Sequence, residues 1–195
     1  MLVNSVSANP VRVRNDAPSS YGWRNKLARA VWGLVWLVLF RPSPRPCHGW
    51  RNALLRLFGA RLARTARVAN SAVIWAPWNL VMEDSAEIGP QVDCYSVAVI
   101  TLGAHATVSQ YSYLCAGGRD TFDPDFGPTK APITICDQAW IGADAFVGPG
   151  VTVGQGAVVG ARASAFADVP PWTINAGNPA QVLQARIVTD MPKHE

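Results

Sequence analysis

The chain has 195 residues, 49% of them hydrophobic and only 15% charged, which excludes general disorder and leaves more apolar surface than one core needs. That length suits one domain with an extension, and the surplus apolar surface points to oligomerisation. The net charge of +4 comes mainly from arginines ahead of residue 68, beside tryptophans on helical sequence rather than along a stacking surface, so the chain does not read as a nucleic-acid binder.

Residues 1–20 are polar, carry Asn9-Pro10 and Ala17-Pro18 and lack apolar periodicity, so they read as a loose arm. From Trp23 to Phe40 the spacing predicts a helix with Leu27, Val31, Leu34, Trp36 and Val38 on a broad apolar face. The run Arg41-Pro42-Ser43-Pro44-Arg45-Pro46 ends it, because proline cannot continue a helix and restrains the residue before it. A second helix is predicted from Trp50 to Phe58, with Gly59 as its stop. The apolar run Ala30–Phe40 is too short to cross a bilayer and begins too late for a signal peptide. Cys47, Cys94, Cys115 and Cys136 form no C-x-x-C pair, three of them in small-residue slots, so a reduced, cytoplasmic protein is expected. Two uses of the 21–60 extension stay open. It caps the domain that follows, or it makes peripheral membrane contact through 23–58, using Trp23, Trp32, Trp36 and the flanking arginines.

From residue 62 the chain repeats every six residues, a multiple of two but not of 3.6. Aliphatics fall at Leu62, Val68, Ile74 and Leu80, then after a two-residue slip at Met82, Ile88 and Ile100, with Cys94 between. After a second slip they fall at Leu102, Val108 and Leu114, and after an interruption at Ile135, Ile141, Val147, Val153 and Val159, lapsing at Ala165. Four places after each later aliphatic comes a short residue: Ala106, Ser112, Gly118, Ala139, Ala145, Val151, Ala157 or Ala163. One large and one small inward residue per six describe a short flat strand and its corner, and three such units close a triangular coil. A parallel β-helix spanning 61–188 follows, with a tail at 189–195. Spacing alone does not fix its hand. The loop Asp120–Pro132 interrupts the register and must protrude, which is where scaffolds carry sites. Asp123 and Asp125 lie in it without a histidine or glutamate, so no metal is expected.

Ala139-Trp140-Ile141-Gly142 through Val147-Gly148-Pro149-Gly150-Val151-Thr152-Val153-Gly154, then Asp168-Val169-Pro170-Pro171-Trp172 and Ala176-Gly177-Asn178-Pro179-Ala180, resemble the C-terminal signature of hexapeptide-repeat O-acetyltransferases. Phe40-Arg41-Pro42-Ser43-Pro44-Arg45-Pro46, Gly49-Trp50-Arg51, Trp75-Ala76-Pro77-Trp78-Asn79-Leu80 and Ser112-Tyr113-Leu114-Cys115 resemble a narrower group, the colanic acid biosynthesis acetyltransferases. The likeness runs from about residue 21 to 188. It implies a left-handed parallel β-helix and a homotrimer. Acetyl-CoA would lie between subunits and give its acetyl group to a sugar or oligosaccharide hydroxyl in exopolysaccharide biosynthesis, at the inner face of the cytoplasmic membrane.

The resemblance also implies a histidine on the long loop as general base, since imidazole titrates where a hydroxyl proton must be removed. The family pattern is Gly, a small residue, His, Asp; this chain has Gly117, Gly118, Arg119, Asp120. Arginine keeps its proton and cannot be that base, but it can hold an oxyanion, carboxylate or phosphate. Three readings stay open: a catalytically silent trimeric scaffold, another base in Asp120 or His105, or an altered loop or acceptor. His48 and His105 otherwise read as a linker residue and a corner residue, and Cys115 as a small filler. By the same resemblance Trp140 covers the thioester, Gly142, Ala143 and Ala161 meet the pantetheine arm, and Arg162 or Arg186 meets CoA phosphate. Asp93 and Tyr95, one coil before the loop, are the acceptor candidates.

Overall fold

The computed structural model describes residues 22–188, so the predicted arm and tail lie outside the described residues. Helix α1 spans Trp23–Val35 and runs on into a single π-helical stretch, Trp36–Phe40. Helix α2 spans His48–Leu57, beginning two residues earlier than its apolar spacing predicts, and Gly59 follows at φ +89° as the left-handed stop.

The remainder winds in short strands. The first coil is β1 (Arg61–Leu62), β2 (Arg67–Val68) and β3 (Val73–Ile74); the second is β4 (Leu80–Met82), β5 (Glu87–Ile88) and β6 (Asp93–Tyr95). The third is β7 (Ile100–Leu102), β8 (Thr107–Val108) and β9 (Tyr113–Cys115), from which a hairpin of β10 (Gly117–Arg119) and β11 (Pro128–Lys130) departs. The fourth is β12 (Ile133–Ile135), β13 (Trp140–Ile141) and β14 (Phe146–Val147); the fifth is β15 (Thr152–Val153), β16 (Val158–Val159) and β17 (Ser164–Ala165). Strands β18 (Thr173–Ala176) and β19 (Gln181–Ala185) close the far end as an antiparallel pair. Three sheets result. Sheet A stacks β1, β4, β7, β12 and β15; sheet B stacks β2, β5, β8, β13, β16 and β18; sheet C stacks β3, β6, β9, β14 and β17, all in parallel.

The six-residue period builds the core directly. In sheet B, Val68, Ile88, Val108, Ile141 and Val159 lie one above another, all buried. Ala66, Ala86, Ala106, Ala139 and Ala157 fill the corners beside them, also buried. The two slips have a single cause: β4, β7 and β12 send both end residues inward, as Leu80 with Met82, Ile100 with Leu102 and Ile133 with Ile135. The early coils are therefore 20 residues long, as the pairings Arg61 with Val81 and Val81 with Thr101 require, and the last is 18, Thr134 with Thr152. Corners hold residues in the left-handed region: Ser85, His105, Gln138 and Trp172 between sheets A and B, Gln91, Tyr111, Asp144 and Arg162 between B and C. Each such non-glycine residue costs roughly 1 kcal/mol. A bond to the preceding coil offsets it, as when the amides of His105, Gln138 and Arg162 donate to the carbonyls of Asp84, Ala104 and Ala143.

The first coil has no predecessor to receive its carbonyls, and an open edge of this kind invites association. The helices supply donors to all three sheets. Arg56 bonds the Leu62 and Ala63 carbonyls at the edge of sheet A. Arg51 Nε reaches Val68 O at 2.7 Å and Asn52 Nδ2 reaches Ala66 O at 2.7 Å at the edge of sheet B. Trp32 and Trp36 give their indole N–H groups to Ile74 O and Ala72 O at 2.7 and 2.8 Å at the edge of sheet C. Arg51 is 1% exposed and is held by oxygens rather than a carboxylate: its remaining nitrogens meet Ser43 Oγ, Pro44 O, Arg45 O and His48 Nδ1. His48 thus takes part in the cap, and burial together with the Arg51 and Arg67 charges lowers its pKa.

Candidate active site

The protruding segment is a hairpin that leaves the coil at Gly117, three residues before the loop expected from register alone. Ala116 occupies the inward corner position, and Gly118, expected there, is exposed on the hairpin. The spacing was ambiguous because alanine and glycine both satisfy a short slot. Arg119 faces Pro128 across the hairpin. Its Nη1 donates to Phe126 O at 2.9 Å, and its guanidinium lies 5.6 Å from the Phe126 ring centroid. A guanidinium has five N–H donors, so this bond does not exhaust it. Asp120 donates its amide to Gly127 O and accepts the Phe122 amide on Oδ1 at 2.9 Å. Asp123 Oδ1 accepts the Asp125 amide at 3.0 Å, so both acids shape the tip.

Beneath the hairpin root lies the outer face of sheet C. A side chain at Gly117 would meet the Tyr95 ring at 3.1 Å and Val97 at 2.6 Å, so only glycine lets the hairpin turn out over Tyr95. Asp93 pairs in register with Tyr113. Partial burial raises the Asp93 pKa, and burial, the Cys115 thiol and the Asp93 charge push the Tyr113 phenol up. Tyr113 therefore stays a hydrogen-bond donor at neutral pH. Sequence reasoning missed it, and missed the row it belongs to: Trp75, Tyr95, Tyr113, Phe146 and Phe166 run along sheet C in alternating edge-to-face and tilted contacts, with successive centroids 5.3 to 6.5 Å apart. The twenty-residue step from Trp75 to Tyr95 was the available signal. Cys115 is half-buried on this outer face, its thiol on Gly117 O at 3.1 Å, and does not fill an inward slot; Cys94 does.

The remaining candidates gather on sheet B and its two corners. Trp140 is 47% exposed, and its indole N–H donates to Ser109 Oγ at 2.8 Å, which fixes the ring across the sheet. Ser109 is a second residue that the sequence did not disclose. A side chain at Gly142 would meet Ala161 N at 2.6 Å, so the coils at this corner approach as backbone on backbone. Ala143 and Arg162 stack there, with Arg162 Nε on Asp144 Oδ2 at 3.2 Å in an exposed pair. Arg186 lies at the opposite corner, donating to Gln138 O and Gly156 O at 3.1 and 2.8 Å. His105 belongs to that same corner, one coil earlier. The candidate residues of one chain thus divide between two faces. Arg119, Asp120, Asp93 and Tyr95 go with sheet C and the hairpin; Trp140, Gly142, Ala143, Ala161, Arg162 and Arg186 go with sheet B.

A three-sided parallel β-helix interrupted by one hairpin, with glycine-spaced coils beside an outward tryptophan, defines a hexapeptide-repeat acyltransferase. Among solved structures, a hexapeptide-repeat-containing acetyltransferase from Vibrio cholerae matches with a TM-score of 0.76 and 25% identity over 86% of this chain and 95% of that one. A maltose O-acetyltransferase from Clostridium difficile shares the fold with a TM-score of 0.70 and 20% identity over 84% of this chain and 89% of that one. No family model matches the chain. A colanic acid biosynthesis acetyltransferase of Escherichia coli K12, WcaF, is 39% identical over 175 residues, covering 90% of this chain and 96% of the relative. The chain belongs to the WcaF family of colanic acid biosynthesis acetyltransferases.

Proposed function

We propose that the protein is a homotrimeric O-acetyltransferase that moves an acetyl group from acetyl-CoA to a hydroxyl of a sugar or oligosaccharide in exopolysaccharide biosynthesis. The observation that carries this reading is the 39% identity to WcaF over 90% of the chain, together with the separation of the two candidate half-sites, which a neighbouring subunit closes. A Vibrio cholerae relative of the same fold has been crystallised with acetyl-CoA, and a galactoside acetyltransferase with coenzyme A. Here acetyl-CoA lies along sheet B of one subunit, its thioester beside Trp140, its pantetheine arm along Gly142, Ala143 and Ala161, and its phosphates toward Arg162 or Arg186. The next subunit brings its hairpin over the thioester and holds the acceptor on Asp93 and Tyr95.

The acceptor oxygen attacks the thioester carbonyl, forming the C–O bond. The C–S bond then breaks, and the CoA thiolate recovers the proton given up by the hydroxyl. Arg119 supplies fixed positive charge to the oxyanion between these steps, and Asp120 beside it takes the proton. Pure protein incubated with labelled acetyl-CoA and a deacetylated oligosaccharide tests this. Transfer is expected, and Arg119→Ala should lower kcat by about 100-fold or more while acetyl-CoA binding is unchanged. Acetyl-CoA binding with no transfer by the native chain would establish instead the silent scaffold that the loss of the family histidine at Arg119 suggests.

A further inference from the structure

Helix α1 and its π-helical continuation use only part of their circumference to cap the solenoid. At about 100° per residue, Trp23, Leu27, Val31, Leu34 and Val38 fall within an arc of about 80°, and Trp32 and Trp36 fall on the opposite side. The opposite side is pinned to sheet C by the two indole hydrogen bonds. The arc faces solvent, with Trp23 72% and Leu34 64% exposed, and Leu37, Leu39 and Trp50 extend it, exposed as well. A single exposed aliphatic needs no explanation, but a continuous stripe marks an interaction surface.

Charge identifies the occupant. Residues 22–82 hold ten lysines and arginines and no acid, whereas residues 83–195 hold twelve acids and five bases. Among the described residues the positive excess therefore lies at the capped end of the solenoid, with Arg24 and Lys26 on either flank of the stripe. Among the described residues no helix is long and apolar enough to cross a membrane. An amphipathic helix with tryptophan and aliphatics on one face, bordered by cations and pinned on its other side, is suited to lie in the plane of a bilayer surface. We infer that the outward face of α1 docks the protein on an anionic phospholipid bilayer, seating Trp23, Leu27, Val31, Leu34 and Val38 among the acyl chains. The contact is independent of the transfer chemistry and of Arg119.

Sedimentation of the full-length chain with vesicles tests it. Binding to phosphatidylcholine vesicles containing phosphatidylglycerol should exceed binding to phosphatidylcholine alone by about tenfold and weaken in high salt. The triple substitution Leu27→Glu, Leu34→Glu, Val38→Glu should abolish binding, with the far-UV circular dichroism and oligomeric mass unchanged. Arg24→Glu with Lys26→Glu should remove the preference for the anionic vesicles and leaves the apolar face intact, so it decides the matter should the triple variant misfold. Brominated lipid should quench the native protein's tryptophan fluorescence, and less so in Trp23→Phe. Native protein that stays in the supernatant with both vesicles overturns the inference, as does a folded triple variant that binds like the native chain. A native chain indifferent to vesicles, together with a triple variant of reduced mass in light scattering, would assign the stripe to a second copy instead.

Discussion

Sheets B and C are built on the same inward pattern and differ on their outer faces. Sheet C presents a row of aromatic rings that passes beneath the root of the hairpin bearing Arg119 and Asp120. Sheet B presents one anchored tryptophan between two corners of close-packed backbone, each with an arginine. The contrast teaches that the repeat specifies a scaffold, and that chemistry is assigned to it face by face.

The sharpest way to break this contrast is to cripple one face per chain. In the proposed trimer, Arg119→Ala and Trp140→Ala should each abolish nearly all activity, and refolding the two variants together should restore it, because mixed trimers would contain cavities with both faces native. No recovery, measured by acetyl transfer, sinks the division between subunits. The next effect falls on the cap, where sheets B and C are closed by different donors. Arg51→Met strands Val68 O at the edge of sheet B and the oxygens of Ser43, Pro44 and Arg45 in the cap, and should cost about 3 kcal/mol. By calorimetry that is a fall in Tm of roughly 6–12 °C for a chain of this size. The smallest effect belongs to the outer face of sheet C. Burial raises the Asp93 pKa, so its charged form is disfavoured in the folded state. The resulting stability is fully present below the ordinary aspartate value and is lost as pH rises through the folded one. Asp93→Asn should therefore raise Tm slightly near neutral pH, and the gain should vanish in acid below about pH 4.

The core was legible because every coil repeats the same demand for one large and one short inward residue. Val68, Ile88 and Val108 could be placed in one column by counting alone, and so could Ile141 and Val159 beyond the hairpin. The twenty-residue length of the early coils was not legible as such and showed only as slips, since a strand with both ends inward leaves the period intact on either side. The hairpin root was misplaced because Ala116 and Gly118 are equally short. For the site, resemblance supplied Trp140, Gly142 and the Arg119 position. It gave no hint of Ser109 or Tyr113, whose roles depend on which residues of separate coils share a level. Counting does not carry that information across the hairpin, where Thr107 meets Trp140 after 33 residues instead of 20.

The hairpin departs and returns while the strands on either side of it stay in register, Ile100 against Ile133 and Leu102 against Ile135. An excursion so hinged behaves as a cassette. On the proposed reading its tip can change in length and sequence without disturbing the solenoid, so long as Gly117, Arg119 and Asp120 keep their places, while the surface proposed for the donor stays built into the stacked coils. A change of acceptor beside an unchanged donor would then require nothing beyond a single architectural seam.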